Sequence, residues 1–385
     1  MPGKIYFVYL ILIYCNPGFL QIHEMNKELP VIDISGGFTN NQKIDLSKIA
    51  KSVRYVPLET TKDAYISRVT KALFTDKQII VLDEKSNQIL RYDNEGRFLG
   101  PIGRGGKGPG EYIRVNDIEV NNTNGIIYVF DIGLGKVLKF NMEGKFLGSN
   151  RNPLLGFWVT MISDKYFVYF DPSRSVEFAG GYFKSIITDL EGKIIQRIQP
   201  QKKSKEEKYR SACSMQSSVY KNDNSACYWE VTSDTVFMVT PELSFSTYTY
   251  INQGPRSLPK EKMFDAEYVM KSSNEHSTII WLLETEKYFF GRGITNFRGA
   301  AILYFKDTKA CYNVSDNRNY LINDLDNGTG FWPIGKINDH SLYSTVDPLD
   351  LKALLKKSNL SPKVKSIAET IGENDNPVLV IAELK

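Results

Sequence analysis

Residues 90–100 read LRYDNEGRFLG, and residues 138–148 read LKFNMEGKFLG. The two stretches share Leu, Glu-Gly and Phe-Leu-Gly at matching positions and lie 48 residues apart (138 minus 90). A third copy, ITDLEGKII at residues 187–195, places its Glu-Gly pair another 48 residues along (191 minus 143). A fixed period of this length indicates a repeat architecture in which each copy forms one supersecondary unit.

Each copy has the composition of a small antiparallel sheet. Apolar runs rich in β-branched and aromatic residues precede the Glu-Gly pairs, at residues 79–82, 127–130 and 166–170. The glycine suits the positive φ that a two-residue hairpin turn demands. With one more strand between copies, each unit becomes a four-stranded antiparallel sheet, which is the content of a propeller blade.

Fainter copies continue the pattern toward the C-terminus. They occupy residues 228–245 and 288–312, and late strands are predicted at 343–346 and 377–384. With a strand at 53–56, these copies make six blades, the last of which contains strands from both chain ends. We therefore predict an all-β fold, a six-bladed β-propeller of four-stranded antiparallel blades over residues 47–385. The degenerate later copies leave five or seven blades open as alternatives.

Short helical insertions interrupt the last blade. Asp347-Pro348 and Ser361-Pro362 each supply an N-cap residue followed by proline at the first helical position. Their apolar stripes can either cap one face of the propeller or pack against its outer rim, and the sequence does not decide between them. Residues 260–271 are a third helical candidate, and the charged run 202–210 is a solvated loop or short helix.

The N-terminus resembles a secretion signal. Lys4 precedes an apolar run of ten residues, 5–14, which is too short to span a bilayer that needs about 20. Residues 12–15 (LIYC) resemble a bacterial lipobox, although Tyr14 stands where a small residue is usual. We predict a signal peptide at 1–15, lipidation of Cys15, and a tether at 16–46 that precedes the propeller.

Composition excludes several classes of protein. The chain is 42% hydrophobic and 24% charged, which is typical of a globular protein, and its net charge of +4 is too small to indicate nucleic-acid binding. Four cysteines without a CxxC pair and three histidines argue against structural zinc. Cys213 and Cys227 either form a disulfide or are separate buried thiols.

Several motifs together carry a family resemblance. They are VLDEKSNQILRYDNEGRFLG at 81–100, YVPLET at 55–60, GPGEY at 108–112 and NPVLV at 376–380. With these motifs the chain resembles NHL-type propeller repeats and, more closely, a six-bladed β-propeller family of secreted Gram-negative envelope proteins and lipoproteins. The resemblance implies a propeller in the cell envelope, in the periplasm or at the outer membrane. It implies no agreed activity.

The glycine-rich stretch 103–110 (GRGGKGPG) lacks the strand-loop-helix context of a phosphate-binding loop. We predict that it links the outer strand of one blade to the inner strand of the next, where Gly and Pro make a sharp turn. The alternative is that this face binds a ligand. The candidate contact residues are then the polar and aromatic side chains in and after the stretch, which are Arg104, Lys107, Glu111, Tyr112 and, on the next inner strand, Asn116.

A second candidate region holds Asp324, Asp326 and Trp332. Residues 323–328 carry several oxygen ligands, as a calcium loop would, but they lack the spacing of an EF-hand, so a turn rich in Asp and Asn is the simpler interpretation. Trp332 lines a pocket in one interpretation and belongs to the core in the other.

Recognition is the function that these observations favour: a cell-envelope module that binds a glycan, a peptide or an envelope protein. The alternative is a hydrolase or lactonase with calcium in the central channel, which requires Asp, Asn and Glu side chains converging from different blades. No catalytic residue is assigned, because no nucleophile elbow or metalloprotease motif is present and only His276 and His340 lie in the propeller. A purely structural role in an envelope complex is a third hypothesis.

Overall fold

The computed structural model describes residues 29–151, 158–170, 182–201, 217–231, 233–259, 262, 266–272, 274–296, 298–316 and 318–385. The signal segment with Cys15, the charged run 202–210 and Cys213 lie outside these residues. Cys227 and Cys311 are free thiols.

The described strands form six sheets that match the predicted blades. Three N-terminal strands belong to later blades: β1 (Val31–Asp33), β2 (Asn41–Gln42) and β3 (Ala50–Pro57). Blade 1 contains β4 (Lys71–Phe74), β5 (Gln78–Asp83), β6 (Gln88–Asp93) and β7 (Phe98–Pro101). The link to the next blade contains β8 (Arg104–Gly105) and β9 (Glu111–Tyr112). Blade 2 contains β10 (Val115–Asn121), β11 (Ile126–Asp131), β12 (Lys136–Asn141) and β13 (Phe146–Arg151).

The remaining blades continue the same order. Blade 3 contains β14 (Trp158–Ile162), β15 (Tyr166–Phe170), β16 (Tyr182–Asp189) and β17 (Ile194–Gln201). Blade 4 contains β18 (Ser217–Asn222), β19 (Ser225–Glu230), β20 (Thr235–Val239) and β21 (Phe245–Asn252). Blade 5 contains β22 (Ser277–Glu284), β23 (Tyr288–Thr295), β24 (Arg298–Phe305) and β25 (Cys311–Val314). Blade 6 contains β26 (Gly335–Asn338), β27 (Ser341–Val346), β28 (Val378–Leu384) and β3.

The first strand of each blade faces the centre of the ring. Strand β4 contacts β10 and β26, β14 contacts β10 and β18, and β18 contacts β22. The second strand of each blade is covered on both faces, and all six residues of β5 are buried. Outer strand β13 instead alternates half-buried and exposed residues. Because both faces of the second strand are buried, that strand is a continuous apolar run in the sequence, whereas the outer strand alternates.

The apolar core is divided among the junctions between blades. One cluster joins Val56 and Leu379 of blade 6 to Ile79 of blade 1, and another joins Ile80 of blade 1 to Ile127 of blade 2. Further clusters join blades 2 and 3, blades 3 and 4, and blades 4 to 6. Each blade is therefore stabilised by its neighbours, as expected for stacked repeats.

The repeated Glu-Gly pair forms the turn between the third and fourth strands. Gly96, Gly144 and Gly192 have φ of 88°, 83° and 87°, which confirms the predicted positive φ. The predicted two-residue length was wrong, because the Asp93 and Arg97 backbones pair across three intervening residues and the Gly96 N–H donates to the Asp93 carbonyl. A type I turn followed by glycine has this geometry. The Asp93 carboxylate also accepts the Arg97 N–H at 2.9 Å.

A second repeated residue fixes the links between blades. Asp83 ends β5 and accepts the Ser67 N–H at 2.6 Å. Asp131 ends β11, 48 residues later (131 minus 83), and accepts the N–H groups of Ile113 and Arg114 at 2.9 and 3.0 Å. A carboxylate at the end of the second strand thus holds the chain that enters the same blade.

Strands from both chain ends close the ring, as predicted. Strand β3 pairs antiparallel with β28 along its whole length. Beside this sheet, buried Asn376 accepts the Ile66 N–H at 2.7 Å and donates to the carbonyls of Glu59 and Ala64 at 2.9 and 2.8 Å. The YVPLET and NPVLV motifs therefore meet at the junction of blades 6 and 1.

The segment before β3 runs along the outer edges of two blades. Strand β1 pairs parallel with β21 of blade 4, and β2 pairs parallel with β25 of blade 5. Ile32 and Ile34 are buried beneath it, and 3-10 helices at Ser35–Phe38 and Leu46–Lys48 separate the strands. Residues 31–46 of the predicted tether are thus packed on the propeller, because their alternating apolar side chains find uncovered sheet edges.

Helices occur at three places among the described residues. Helix α1 (Ala266–Ser272) precedes blade 5, and α2 (Pro348–Ala353) and α3 (Pro362–Thr370) interrupt blade 6, with a 3-10 turn at Leu354–Lys356. The Asp347 and Ser361 side chains accept the Leu349 and Val364 N–H groups, so both predicted N-caps are confirmed. The insertion packs on the link between blades 5 and 6, where the Ser361 N–H donates to the Asp326 carbonyl.

Replacing Asn376 tests this closure. We expect N376A to lower the free energy of unfolding by about 2–4 kcal/mol, because it removes three buried hydrogen bonds and leaves backbone groups without partners. Urea unfolding followed by intrinsic fluorescence measures the change. The control is N374A, an exposed asparagine two residues away, and equal effects of the two variants would contradict the role of Asn376.

Candidate functional site

The glycine-rich stretch joins the outer strand of blade 1 to the inner strand of blade 2, as the sequence predicted. Within it β8 pairs parallel with β9, so the chain makes a tight loop between them and then continues in the same direction. Gly103 and Gly110 have φ of +62° and +75°, and a Cβ on Gly103 would lie 2.6 Å from the Gly110 carbonyl oxygen. Only glycine combines this backbone conformation with such a close approach.

The Glu111 carboxylate organises the polar side of this link. It accepts Arg104 Nε at 2.8 Å and the Gly108 N–H at 2.8 Å. The Gly108 hydrogen bond and the Arg104 guanidinium hold the pKa of Glu111 below its usual range. Tyr112 is buried, its hydroxyl donates to the Ile102 carbonyl, and burial raises its pKa to about 12. Tyr112 therefore supports the link and is not presented to solvent.

A cavity lies between this link and the outer half of blade 2. Its volume is about 340 Å³. Leu138 and Phe146 form an apolar floor, and the Phe146 ring packs edge-on against buried Phe140 with centroids 5.6 Å apart. The remaining lining residues are Lys107, Gly108, Pro109, Gly110, Glu111, Lys136, Gly148 and Ser149. We call this space the link cavity.

Hydrogen bonds fix the link above the cavity. Asp131 accepts from Ile113 and Arg114, as described above, and Asn87 of blade 1 holds the following residues from the other side. Its Nδ2 donates to the Ile113 carbonyl at 3.0 Å, and its Oδ1 accepts the Val115 N–H at 2.9 Å. These hydrogen bonds attach residues 113–115, which follow directly after the cavity wall at 107–111, to both blades.

A second group of charged residues lies in the central channel. Lys71 of β4 contacts Asp117 Oδ1 at 2.7 Å and Glu119 Oε1 at 3.0 Å, and Lys221 of β18 contacts Glu119 Oε2 at 3.3 Å. Asp117 and Glu119 lie two residues apart on β10 and therefore share a face. The network joins blades 1, 2 and 4. Asn116, a predicted site residue, is half-buried beside it at an irregularity in β10.

Burial and charge act in opposite directions on these groups. Burial raises the pKa of Asp117, and the attraction of Lys71 offsets this only in part. Burial would also raise the pKa of Glu119, but Lys221 and Lys71 outweigh it and lower that pKa. Burial would lower the pKa of Lys71, but the two carboxylates outweigh it and raise that pKa. Lys71 and Glu119 therefore each favour the charged form of the other.

The third predicted group lies in the link between blades 5 and 6. Asp326 is half-buried and accepts Asn323 Nδ2 at 2.7 Å and the Gly328 N–H at 2.8 Å. Asp324 is exposed and accepts the Ser47 N–H at 2.9 Å. Protein donors thus occupy these carboxylates, in the manner of an Asx-rich turn. Trp332 is buried in the core, with the Arg292 guanidinium 4.7 Å from its ring centroid.

The structure thus brings Arg104, Lys107 and Glu111 together, and it places Asp324, Asp326 and Trp332 on another link. Among the described residues, no group of three or more His, Cys, Asp or Glu side chains has the arrangement of a metal site. In the same part of the chain, no helix combines the length and apolar character needed to span a bilayer.

Sequence reasoning missed the blade 2 half of the link cavity and the lysines of the channel. Lys136 was detectable in principle. It occupies the repeat position that is equivalent to Gln88 of blade 1 (136 minus 48), and lysine at this position departs from the repeat. Asp117 and Glu119 are two residues apart in a predicted strand, and this spacing indicates that both acids lie on the same face of the strand. No sequence signal pairs them with Lys71 and Lys221.

The sequence pattern described as "Domain of unknown function (DUF4934)" matches residues 29–383. The chain belongs to the DUF4934 family. The matched region begins with the segment that carries β1 and β2, so the family pattern includes the strands that lie along blades 4 and 5 as well as the ring itself.

Solved structures resemble this DUF4934 chain to different degrees, and the first of the following shares its fold. A candidate exported protein of Bacteroides fragilis NCTC 9343 matches with a TM-score of 0.71 and 19% identity, over 92% of this chain and 99% of that one. A duf4221 family member from Bacteroides vulgatus ATCC 8482 matches with a TM-score of 0.47 and 10% identity, over 87% and 97%. A streptogramin B lyase matches with a TM-score of 0.42 and 10% identity, over 86% and 98%. No protein with a curated description matches the sequence significantly.

Replacing Lys71 tests whether the channel network holds the blades together. We expect K71M to lower the free energy of unfolding by about 3 kcal/mol, because it leaves buried Asp117 without its cation and leaves Glu119 with Lys221 alone. The matched control is K85M, an exposed lysine of the same blade. Urea unfolding compares the variants, and a loss in K71M no larger than in K85M would show that the network contributes little.

Proposed function

We propose that this DUF4934 protein is an exported cell-envelope propeller that recognises a ligand, which is a glycan, a peptide or a protein segment, in the link cavity. The observation that carries this proposal is the cavity itself. Its volume of about 340 Å³ lies within the range of roughly 300–1,000 Å³ that is usual for ligand sites. An apolar floor with a few polar groups at its edge is the usual composition of such sites.

The rigidity of the cavity supports recognition as its role. Its floor belongs to the hydrogen-bonded strands β12 and β13. Its wall, at 107–111, is fixed internally by the Gly108 N–H that donates to Glu111, and it continues into residues 113–115, which Asp131 and Asn87 hold. A pre-formed site loses little conformational entropy when a ligand binds. Loops fixed on a rigid scaffold commonly carry binding functions.

Two observations support an envelope location. The N-terminal sequence has Lys4, an apolar run at 5–14 and a lipobox-like Cys15. The Bacteroides fragilis protein with the same fold is a candidate exported protein. The resemblance to NHL-like envelope propellers fits the same location. We therefore propose that the chain is exported and attached to a membrane through lipid on Cys15.

A cavity-filling variant tests the binding proposal. Ser149 lines the cavity from β13, and Ser246 is an exposed serine on the outer strand of blade 4. We expect glycan and peptide arrays probed with the labelled protein to give ligands that S149W loses and S246W retains, because indole fills the space that the ligand needs. Ligands retained equally by S149W, or no ligand for the wild type on either array, would contradict the proposal.

Lipid attachment is tested separately in a Bacteroides host. We expect the full chain to incorporate a labelled fatty acid and to sediment with membranes, and C15S to do neither, because the thiol is the acylated atom. The C227S variant, which changes a buried thiol of the propeller, is the control for cysteine loss. Equal labelling of the wild type and C15S would show that Cys15 is not the anchor.

A further inference from the structure

We infer that the link cavity selects an organic anion, a ligand that carries a carboxylate, sulfate or phosphate group beside a small apolar portion. This inference rests on the proposed function and specifies the ligand class of the same site. It is carried by the charges that border the cavity, by their lack of internal partners, and by the apolar floor below them.

The cavity contains uncompensated positive charge. Lys107 and Lys136 line it from opposite sides and are exposed, and neither forms an ion pair with any residue that the structure describes. The one carboxylate that lines the cavity is Glu111, and it is already bound by Arg104 and the Gly108 N–H. Glu111 therefore does little to neutralise the two ammonium groups.

A third cation reinforces this asymmetry. Lys136 and Arg151 are directly opposite each other across β12 and β13, so their side chains extend from the same face of blade 2, where Lys136 lines the cavity and Arg151 does not. Like charges directly opposite on neighbouring strands destabilise a sheet. Arg151 also forms no ion pair among the described residues. An anion bound between these side chains would relieve this repulsion and would gain charge-assisted hydrogen bonds.

The floor of the cavity restricts the rest of the ligand. Leu138 is buried and Phe146 is half-buried, so the ligand meets a carbon surface beneath the cations. The Ser149 hydroxyl is a neutral polar group at the same edge. The space of about 340 Å³ suits an acidic group with a single ring or a short apolar chain.

Matched pairs of small molecules test the charge requirement. The probes are phenylacetate against phenylacetamide, and glucuronate against glucose, with binding measured by saturation-transfer NMR and calorimetry on the folded chain. We expect each anion to bind at least about tenfold more tightly than its neutral partner, and the difference to shrink at high salt. We expect K107A/K136A to remove most of the preference for the anion, because the two unpaired cations that line the cavity are gone and only Arg151, which does not line it, is left nearby.

The controls separate this inference from the proposed function. K145A removes an exposed lysine of the same hairpin that does not line the cavity, and we expect it to bind as the wild type does. Equal binding of neutral and anionic partners, or K107A/K136A binding like K145A, would overturn the anion inference. Failure of S149W to reduce the binding of any ligand would instead overturn the link cavity as the site, whatever the charge of the ligand.

Discussion

The antiparallel pairing of β3 with β28 is the interaction on which the rest of the molecule depends. Each blade buries its apolar surface against the next blade, so an open row of six sheets would leave its two end faces in water. The pairing places an N-terminal strand in the last blade and brings that blade against blade 1. Asn376 then joins the chain leaving β3 to the chain entering β28. The closure therefore combines a backbone ladder, one buried amide and the apolar cluster that blades 6 and 1 share.

Closure also determines what happens at the outer edges of the sheets. Outer strands with unpaired backbone groups invite association with other chains. In blades 4 and 5 the strands β1 and β2 cover these edges, on the path that leads the chain to β3. A register shift also interrupts the ladder between the third and fourth strands of blades 1 to 4, and such a bulge bends the outer strand. In blades 4 and 5 the strands β1 and β2 add a cover that pairs with the outer strand.

The sequence allowed the repeat unit to be predicted far better than the contacts between units. The period of 48 residues can be detected from short stretches of sequence, because the buried second strand and the Glu-Gly turn recur in each early copy. The addition of Val31 to blade 4 was not predictable, because its partner Tyr250 is more than 200 residues away and β1 is only three residues long. The length of the turn after Asp93 also escaped prediction, because two- and three-residue hairpins both accept glycine.

The two charged regions differ in how their charges are compensated, and this difference favours the link cavity as the binding site. In the channel, Lys71 and Lys221 are already opposed by Asp117 and Glu119, so an incoming anion would have to displace an internal carboxylate. In the link cavity the cations face solvent, and the one lining carboxylate has its own partner. Two of the cations on this face of blade 2, Lys136 and Arg151, stand at the repeat positions where blade 1 has Gln88 and Gly103 (136 and 151 minus 48). Blade 2 therefore keeps the repeat where the fold requires it and departs from the repeat where the cavity gains its charge.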